Sequence, residues 1–345
     1  GGETVRLMGN SLRRAYRQAG LLPAGCPGAG EVVVWADGAD QRTRRSGEIL
    51  AQALAPGCAV TAAWAAPTPR DPIFNGDGAA AACRSDPAAA TKALEAAIGP
   101  GGIETPATRA ALLRLQAILA PRACAGSGGT CFAGPDQVVA GPGRPRAAGP
   151  LPVTASLAED LLLEYAEGMP VGEVGWGRAR TATDIAAVMA VHERAFQIYH
   201  DDRYATGRDG AVMARLILAA LAGEASGKPP VFGPRVRLLA LAGHDSNLVV
   251  MGSLFGLAWT LPAEPDSTAP ATTLAFELWT DHGARFVRPV IFYETLDQLR
   301  TLSPANARRQ ALRFDGCATG PMGSCPLGEL RRRVLSLIPS GCGEA

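Results

Sequence analysis

The residues best suited to chemistry in this chain are His244 and Asp245, which stand between a predicted strand and a predicted helix. The apolar run 236–241 before them is typical of a strand buried on both faces of a mainly parallel sheet. Apolar residues then recur at helical spacing over 248–258. Ligands bind at this edge of open α/β sheets, and a helix N-terminus there favours an anion. The pattern predicts an anion site with a hydrogen-bond donor beside a proton-carrying carboxyl, although a His-Asp pair can also simply cap a helix.

A second strand-to-helix junction follows the apolar residues 32–35. Its turn contains Asp37 and Arg42, and a guanidinium matches phosphate oxygens in pairs. The alternative is an exposed arginine at the start of a helix. A further predicted strand, 59–64, completes a β-α-β unit with a right-handed parallel crossover.

Composition limits the class of protein. The chain has 345 residues, of which 47% are hydrophobic, enough for a large core and two domains. Its net charge of +1 argues against nucleic acid or an anionic membrane as partner. No apolar run reaches roughly 18 residues, so no membrane-spanning helix is predicted. The chain begins with glycine and shows no signal peptide, and we expect processing or trimming at its front.

The helical part of the sequence lies between the two predicted pieces of the sheet. A segment rich in Pro, Gly and Asp follows Trp64, helical patterns fill the region up to residue 222, and 225–230 has the composition of a linker. We therefore predict an α/β domain of residues 1–66 and 228–345 with an inserted α-helical domain of residues 67–227. His192 and His200 fall on one of the inserted helices, where a packing or surface role is the simpler interpretation.

The cysteines indicate an oxidising compartment. There are eight, and two pairs are close in sequence, Cys124 with Cys131 and Cys317 with Cys325. The intervals are rich in glycine and turn residues, which favours small disulfide loops over zinc sites. Paired cysteines predict a periplasmic or secreted protein, and the alternative is a cytosolic protein with buried free thiols.

Seven short motifs occur in a fixed order: ADQRTRRSGE, APGCAVT, DPIFN, EGMPVGEVGWGR, GHDSN, FELW and GCATGPMGSCPL. Together they resemble bacterial histidine acid phosphatases, above all periplasmic phytases and glucose-1-phosphatases, over nearly the whole chain. The resemblance implies a phosphoglycerate-mutase-like α/β fold with a helical insert and a phosphate pocket between the two. It also implies hydrolysis of a small phosphate monoester through a phosphohistidine. One departure is that FELW lacks the Gly-Gly that usually precedes it.

The resemblance assigns roles to three residues already selected. Arg42 matches the arginine that holds the phosphate, His244 the histidine that binds its oxygens, and Asp245 the acid that protonates the leaving alcohol. Phosphoryl transfer needs such fixed donors and an acid at the leaving oxygen. No metal or cofactor is expected, because the Arg and His donors supply the compensating charge.

Further substrate contacts are expected from four residues. Ser246 would bind the substrate beside His244, Asp37 and Met169 would contact the leaving group, and Arg208 would meet extra phosphates. The motifs fit both inositol phosphates such as phytate and sugar phosphates such as glucose 1-phosphate. A monomer is the favoured state.

The family's nucleophile lies in an Arg-His-Gly-x-Arg-x-Pro motif, which we expect upstream of Gly1. The only HGxR string in the chain is 282–285, and it falls in a predicted hairpin turn between strands 273–279 and 286–292. We interpret it as a coincidence. Alternatives are a non-catalytic phosphate-binding homologue, an inactive truncated phosphatase, or a cytosolic mutase-like enzyme, the last disfavoured by the cysteines.

The family also implies a disulfide pattern. By position, Cys26 would pair with Cys58, Cys83 with Cys342, Cys124 with Cys131, and Cys317 with Cys325.

Overall fold

The computed structural model describes residues 1–76, 83–120, 132, 136–140 and 145–344. The helices are α1 (Gly2–Gln18), α2 (Gln41–Leu54), α3 (Pro87–Ile98), α4 (Pro106–Leu119), α5 (Pro150–Ala166), α6 (Ala182–Asp201), α7 (Arg203–Asp209), α8 (Ala211–Ala222), α9 (Asp245–Phe255), α10 (Leu296–Thr301) and α11 (Leu327–Ser336). The strands are β1 (Val32–Ala36), β2 (Ala62–Trp64), β3 (Gln137–Val139), β4 (Arg146–Ala148), β5 (Leu238–Ala242), β6 (Thr273–Asp281), β7 (Ala284–Tyr293), β8 (Arg308–Ala311) and β9 (Cys325–Pro326). None of the described helices is both long and apolar enough to cross a membrane.

A parallel sheet with the order β2-β1-β5 is the frame of the α/β part. The predicted β-α-β unit is formed by β1, α2 and β2, and β2 is shorter than predicted. The expectation that the strand before His244 is buried on both faces was wrong, because all five residues of β5 are partly exposed. Within the described residues β5 pairs with β1 alone, so its other edge lacks a strand neighbour.

Helices α1 and α2 pack together and cover one side of this frame. Their apolar residues share a core with β1 and β7, in which Met8, Val34 and Phe292 are almost fully buried. Burial of such side chains is worth about 1.5–3 kcal/mol each, so this core stabilises one face of the sheet.

The helical insert lies between β2 and β5 in the chain. Its core is formed by α4, α5 and α6, and Leu115, Leu162 and Val188 are fully buried in it. The region 209–222, predicted as one helix, begins with the end of α7 and continues as α8 after Gly210. A Cβ at Gly210 would lie 2.5 Å from the Leu254 side chain, so the close packing of this junction on α9 requires glycine.

An antiparallel sheet, β6-β7-β8 with β9 against β7, completes the α/β part. The predicted hairpin is confirmed, and its turn residues His282 and Gly283 both have positive φ, as two-residue turns require. The HGxR string therefore starts in an exposed turn.

Three of the four disulfides implied by the family are present: Cys26–Cys58, Cys83–Cys342 and Cys317–Cys325. Cys124 and Cys131 lie outside the described residues.

Candidate phosphate-binding site

The two strand-to-helix turns selected from the sequence meet at one edge of the parallel sheet. The backbone N–H of Asp37, just after β1, donates to the carbonyl of Ala242 at the end of β5, at 3.0 Å. Because β1 and β5 are parallel and in register, the turns that follow them lie side by side. Asp37 and His244, which are 207 residues apart in the sequence, are brought together in this way.

Asp37 and His244 form the centre of the site. The Asp37 Oδ2 atom lies 2.9 Å from His244 Nε2 and accepts a hydrogen bond from Asn75 at 3.1 Å, while Oδ1 accepts one from the backbone of Ala39. Burial opposes ionisation of Asp37, but these hydrogen bonds and the nearby imidazole lower its pKa. An ionised carboxylate can only accept, so Nε2 of His244 carries a proton and donates it to this bond.

His244 is held from behind by the loop that contains Phe74. The backbone N–H of His244 donates to Asn247 Oδ1 at 2.9 Å, and the amide of Asn247 donates to the carbonyl of Phe74 at 2.9 Å. A Cβ at Gly243 would lie 2.7 Å from the Phe74 ring, so only glycine lets the turn approach this loop. His244 occupies the N-cap position of α9, so the capping alternative holds for its backbone while its imidazole is directed at Asp37.

Asp245 and Ser246 form the first turn of α9. The Asp245 Oδ1 atom accepts a hydrogen bond from the backbone N–H of Ser246 at 2.6 Å. Both side chains are partly exposed, so the carboxyl of Asp245 is accessible to a bound group.

Arg42 stands in the first turn of α2, two residues after Asp40, whose carboxylate lies 3.8 Å from His244 Nε2. Thr43 fixes this turn by donating from Oγ1 to the Asp37 carbonyl at 2.7 Å. The Arg42 side chain is exposed, and within the described part of the chain its guanidinium has no hydrogen-bond or ion-pair partner. A cation in the first turn of a helix whose N-cap carboxylate lies 3.8 Å from an imidazole suits an oxyanion.

Comparison with known proteins gives the family. No protein-family model matches the chain. Phytase AppA of Escherichia coli (strain K12) is 30% identical over 325 residues, which cover 88% of this chain and 73% of that protein. The chain belongs to the histidine acid phosphatase family. Glucose-1-phosphatase of Salmonella typhimurium is 27% identical over 193 residues, covering 53% of this chain and 44% of its own.

Solved structures show that the similarity includes the fold. Hafnia alvei phytase in complex with tartrate superimposes with a TM-score of 0.90 at 31% identity, covering 99% of this chain and 87% of its own. The same phytase in complex with myo-inositol hexakis sulphate gives a TM-score of 0.88. The predicted family and the predicted α/β fold with a helical insert are thereby confirmed.

Two residues that were predicted to contact the substrate, Met169 and Arg208, lie in the insert. Met169 packs at the edge of the insert core, and its carbonyl accepts from Arg300 at 2.8 Å. The Arg208 guanidinium lies 3.5 Å from the centroid of the Tyr204 ring. No hydrogen bond or ion pair within the described residues links Met169 or Arg208 to Asp37, His244 or Asp245. Their contact with a substrate stays a prediction.

The sequence did not identify three residues that contact Asp37 or His244: Asn75, Asp40 and Asn247. Asn75 reaches Asp37 because its loop is tied to β1 by a 2.7 Å hydrogen bond from Trp35 Nε1 to Asp71. The DPIFN and GHDSN motifs contain Asn75 and Asn247, but motif matching alone does not show which partner each amide serves.

One oxygen from each of Asp37 and Asp40 and a nitrogen of His244 lie within 4.8 Å of one another, a spacing that a cation could share. The hydrogen bond that Nε2 donates to Asp37 argues against this use, since a metal would need that nitrogen without its proton. We define these three residues as the open triad.

Proposed function

We propose that this chain is the substrate-binding and acid-base part of a phosphatase that hydrolyses small phosphate monoesters through a phosphohistidine. The observation that supports this most is the open triad at the N-termini of α2 and α9, together with Arg42 in the first turn of α2, whose guanidinium has no partner among the described residues. Both helix ends point their free N–H groups at this edge of the sheet, and helix N-termini favour anions.

Each residue has a distinct task in this proposal. Arg42 binds two phosphate oxygens, His244 donates to a further oxygen, and Asp245 gives its proton to the leaving alcohol. Asp37 is a positioning residue, because its carboxylate fixes which ring nitrogen of His244 bears a proton and how the ring is turned. Ser246 contributes its side chain beside His244. The attacking histidine belongs to the Arg-His-Gly-x-Arg-x-Pro motif, which residues 1–345 do not contain, so turnover is proposed for the protein that carries this motif.

The substrate class follows from the relatives. Inositol phosphates and sugar phosphates are both proposed, because phytases and a glucose-1-phosphatase are similar to this chain. The described disulfides support a periplasmic or secreted location. We place the helical domain at residues 67–227 and the α/β domain at 1–66 and 228–345, a division supported by the position of α3 to α8 between β2 and β5.

Phosphate binding by residues 1–345 tests the pocket without requiring turnover. Calorimetric titration with inorganic phosphate and with myo-inositol hexakis sulphate should show binding that Arg42→Ala weakens by at least about tenfold, the loss expected for a bidentate charged contact. The matched control is Arg45→Ala, on the same helix, whose guanidinium pairs with Glu48 at 3.0 Å. Equal affinities in the two variants would overturn the assignment of Arg42.

The catalytic step is tested in protein that carries the motif. Asp245→Asn should slow hydrolysis of substrates with poor leaving groups by about a hundredfold or more, and that of p-nitrophenyl phosphate far less. Equal losses on both substrates would contradict the role of Asp245 as acid. Phosphate binding without any acid-labile phosphohistidine after rapid quenching would instead favour a binding protein.

A further inference from the structure

A second cluster of metal-ligating side chains lies away from the open triad. His192 stands in α6 and is only 3% exposed, yet its Nε2 atom has no hydrogen-bond partner among the described residues. The nearest charged group is Asp266 Oδ1, at 3.6 Å, which is beyond hydrogen-bond distance. Buried polar atoms are nearly always paired in native proteins, so an unpaired imidazole nitrogen aimed at carboxylates indicates a missing ligand.

The spacing of the cluster fits one ion. One ligand atom each from His192, Glu193 and Asp266 lie within 4.8 Å of one another. Ligand atoms about 2.0–2.2 Å from a tetrahedral Zn²⁺ are about 3.3–3.6 Å apart. The three atoms must therefore approach one another by up to about 1.5 Å, which changes in the side-chain torsions of Glu193 and Asp266 can supply.

Both carboxylates are already oriented by their neighbours. Glu193 Oε1 accepts from the backbone and the hydroxyl of Ser267, at 3.0 and 3.2 Å. Asp266 Oδ1 accepts from the backbone and the hydroxyl of Thr268, at 2.8 and 2.9 Å. Hydrogen bonds of this kind orient the ligands of a metal site and thereby increase its affinity for the ion.

Acidic groups outnumber the single imidazole around the cluster. Glu159 of α5 interacts electrostatically with both His192 and Asp266. Glu264 is 5% exposed and also lies near Asp266, but burial raises its pKa to about 8, so it keeps its proton near neutral pH. A bound cation would compensate the remaining excess of carboxylates.

We propose that His192, Glu193 and Asp266, here the buried triad, bind one divalent transition-metal cation of the Zn²⁺ or Mn²⁺ class. An imidazole with two carboxylates suits these ions, whereas Ca²⁺ and Mg²⁺ prefer oxygen ligands alone. The ion ties α6 of the insert to the loop that follows α9. Within the described residues, no hydrogen bond or ion pair links these three ligands to Arg42, His244 or Asp245, so we assign the ion a structural role apart from the proposed hydrolysis.

The test is a Zn²⁺ titration of the intact chain. The sequence has four histidines, so ¹⁵N-imidazole NMR gives one set of signals for each. Zn²⁺ should bind with a stoichiometry of one in calorimetry and should shift the His192 signals. Glu193→Gln should lower the affinity at least about tenfold. The matched control is His282→Ala, which removes an exposed imidazole lying 3.7 Å from Asp281, and it should leave the affinity unchanged.

Three results would overturn the proposal. They are no binding heat at about 1 mM Zn²⁺, a shift confined to histidines other than His192, and unchanged affinity in Glu193→Gln. Should that variant fail to fold, the NMR measurement on the unaltered chain decides alone.

Discussion

The open triad and the buried triad contain the same groups, one imidazole and two carboxylates, in different surroundings. In the open triad the imidazole of His244 is 18% exposed and is hydrogen-bonded to Asp37. In the buried triad the imidazole of His192 is 3% exposed, and its Nε2 atom is unpaired within the described residues. The first imidazole can meet a ligand that arrives from solvent, whereas the second can only serve a ligand enclosed with it.

Burial and hydrogen bonding also separate the carboxyl groups. Three donors lower the pKa of Asp37 although burial acts against them. Burial raises the pKa of Glu193, and the two hydrogen bonds it accepts from Ser267 do not outweigh this. In clusters of the same residue types, the hydrogen-bond donors and the degree of burial therefore decide in which direction the pKa of a carboxyl group moves.

The largest expected effect is on the free energy of unfolding, and its absence would show that the two triads do not differ in this respect. Asp266→Ala removes the acceptor for Thr268 and the carboxylate nearest to His192, so in chelator-treated protein it should cost about 3 kcal/mol of unfolding free energy. Asp40→Ala, at a carboxylate that is 51% exposed and 3.8 Å from His244, should cost less than about 0.5 kcal/mol. Urea unfolding of both variants measures the difference, and equal costs would show that the two triads are not distinct.

A smaller effect is expected on ligand affinity at the open triad. In Asp37→Asn the amide can donate to His244, which favours the tautomer with Nε2 unprotonated and removes a donor from the site. Phosphate affinity should fall about tenfold, and the unfolding free energy should fall by about 1 kcal/mol because one of the acceptors for Asn75 and His244 is lost. An unaltered affinity in calorimetry would mean that Asp37 does not position His244.

The smallest expected effect concerns Glu294, a carboxyl group that is buried without hydrogen bonds to the described residues. Glu294 is 1% exposed, neither of its carboxyl oxygens has a partner among the described residues, and burial raises its pKa to about 7. The folded chain therefore keeps a proton that the unfolded chain releases, and stability falls as pH rises from 4.5 to about 7.

Glu294→Gln removes this loss of stability. The variant should melt about 2 °C higher than the unaltered chain at pH 8, and at a similar temperature at pH 4.5. Thermal unfolding at the two pH values checks this. The opposite order at pH 8 would show that Glu294 is stabilised as an anion.

Much of the fold was predictable because hydrophobic period and turn residues are local signals. The strand-to-helix turns at Asp37 and His244, the hairpin of β6 and β7, and most helices were found in this way. The extent to which β5 is buried was not, because it depends on which strands flank it. The site was predictable where a motif carries the residue, as for Arg42, His244 and Asp245, whose roles stay predictions.

Contacts between distant segments could not be predicted. Asn75 meets Asp37 from 38 residues away, and Glu193 meets Ser267 from 74 residues away. His192 was interpreted as a packing or surface residue, and it is indeed buried. Its unpaired nitrogen could not be predicted, because the sequence does not show that Asp266 lies beside it.

The Cys83–Cys342 disulfide attaches the insert to the C-terminal part of the chain. It joins the segment before α3 to the end of the chain, where Arg215 of α8 also donates to the Cys342 carbonyl at 2.9 Å. With the two peptide crossings at β2 and β5, this gives the insert three covalent attachments. Three attachments restrict rotation of the insert against the α/β part more than the two peptide crossings alone would. The reduced protein would gain part of that rotation.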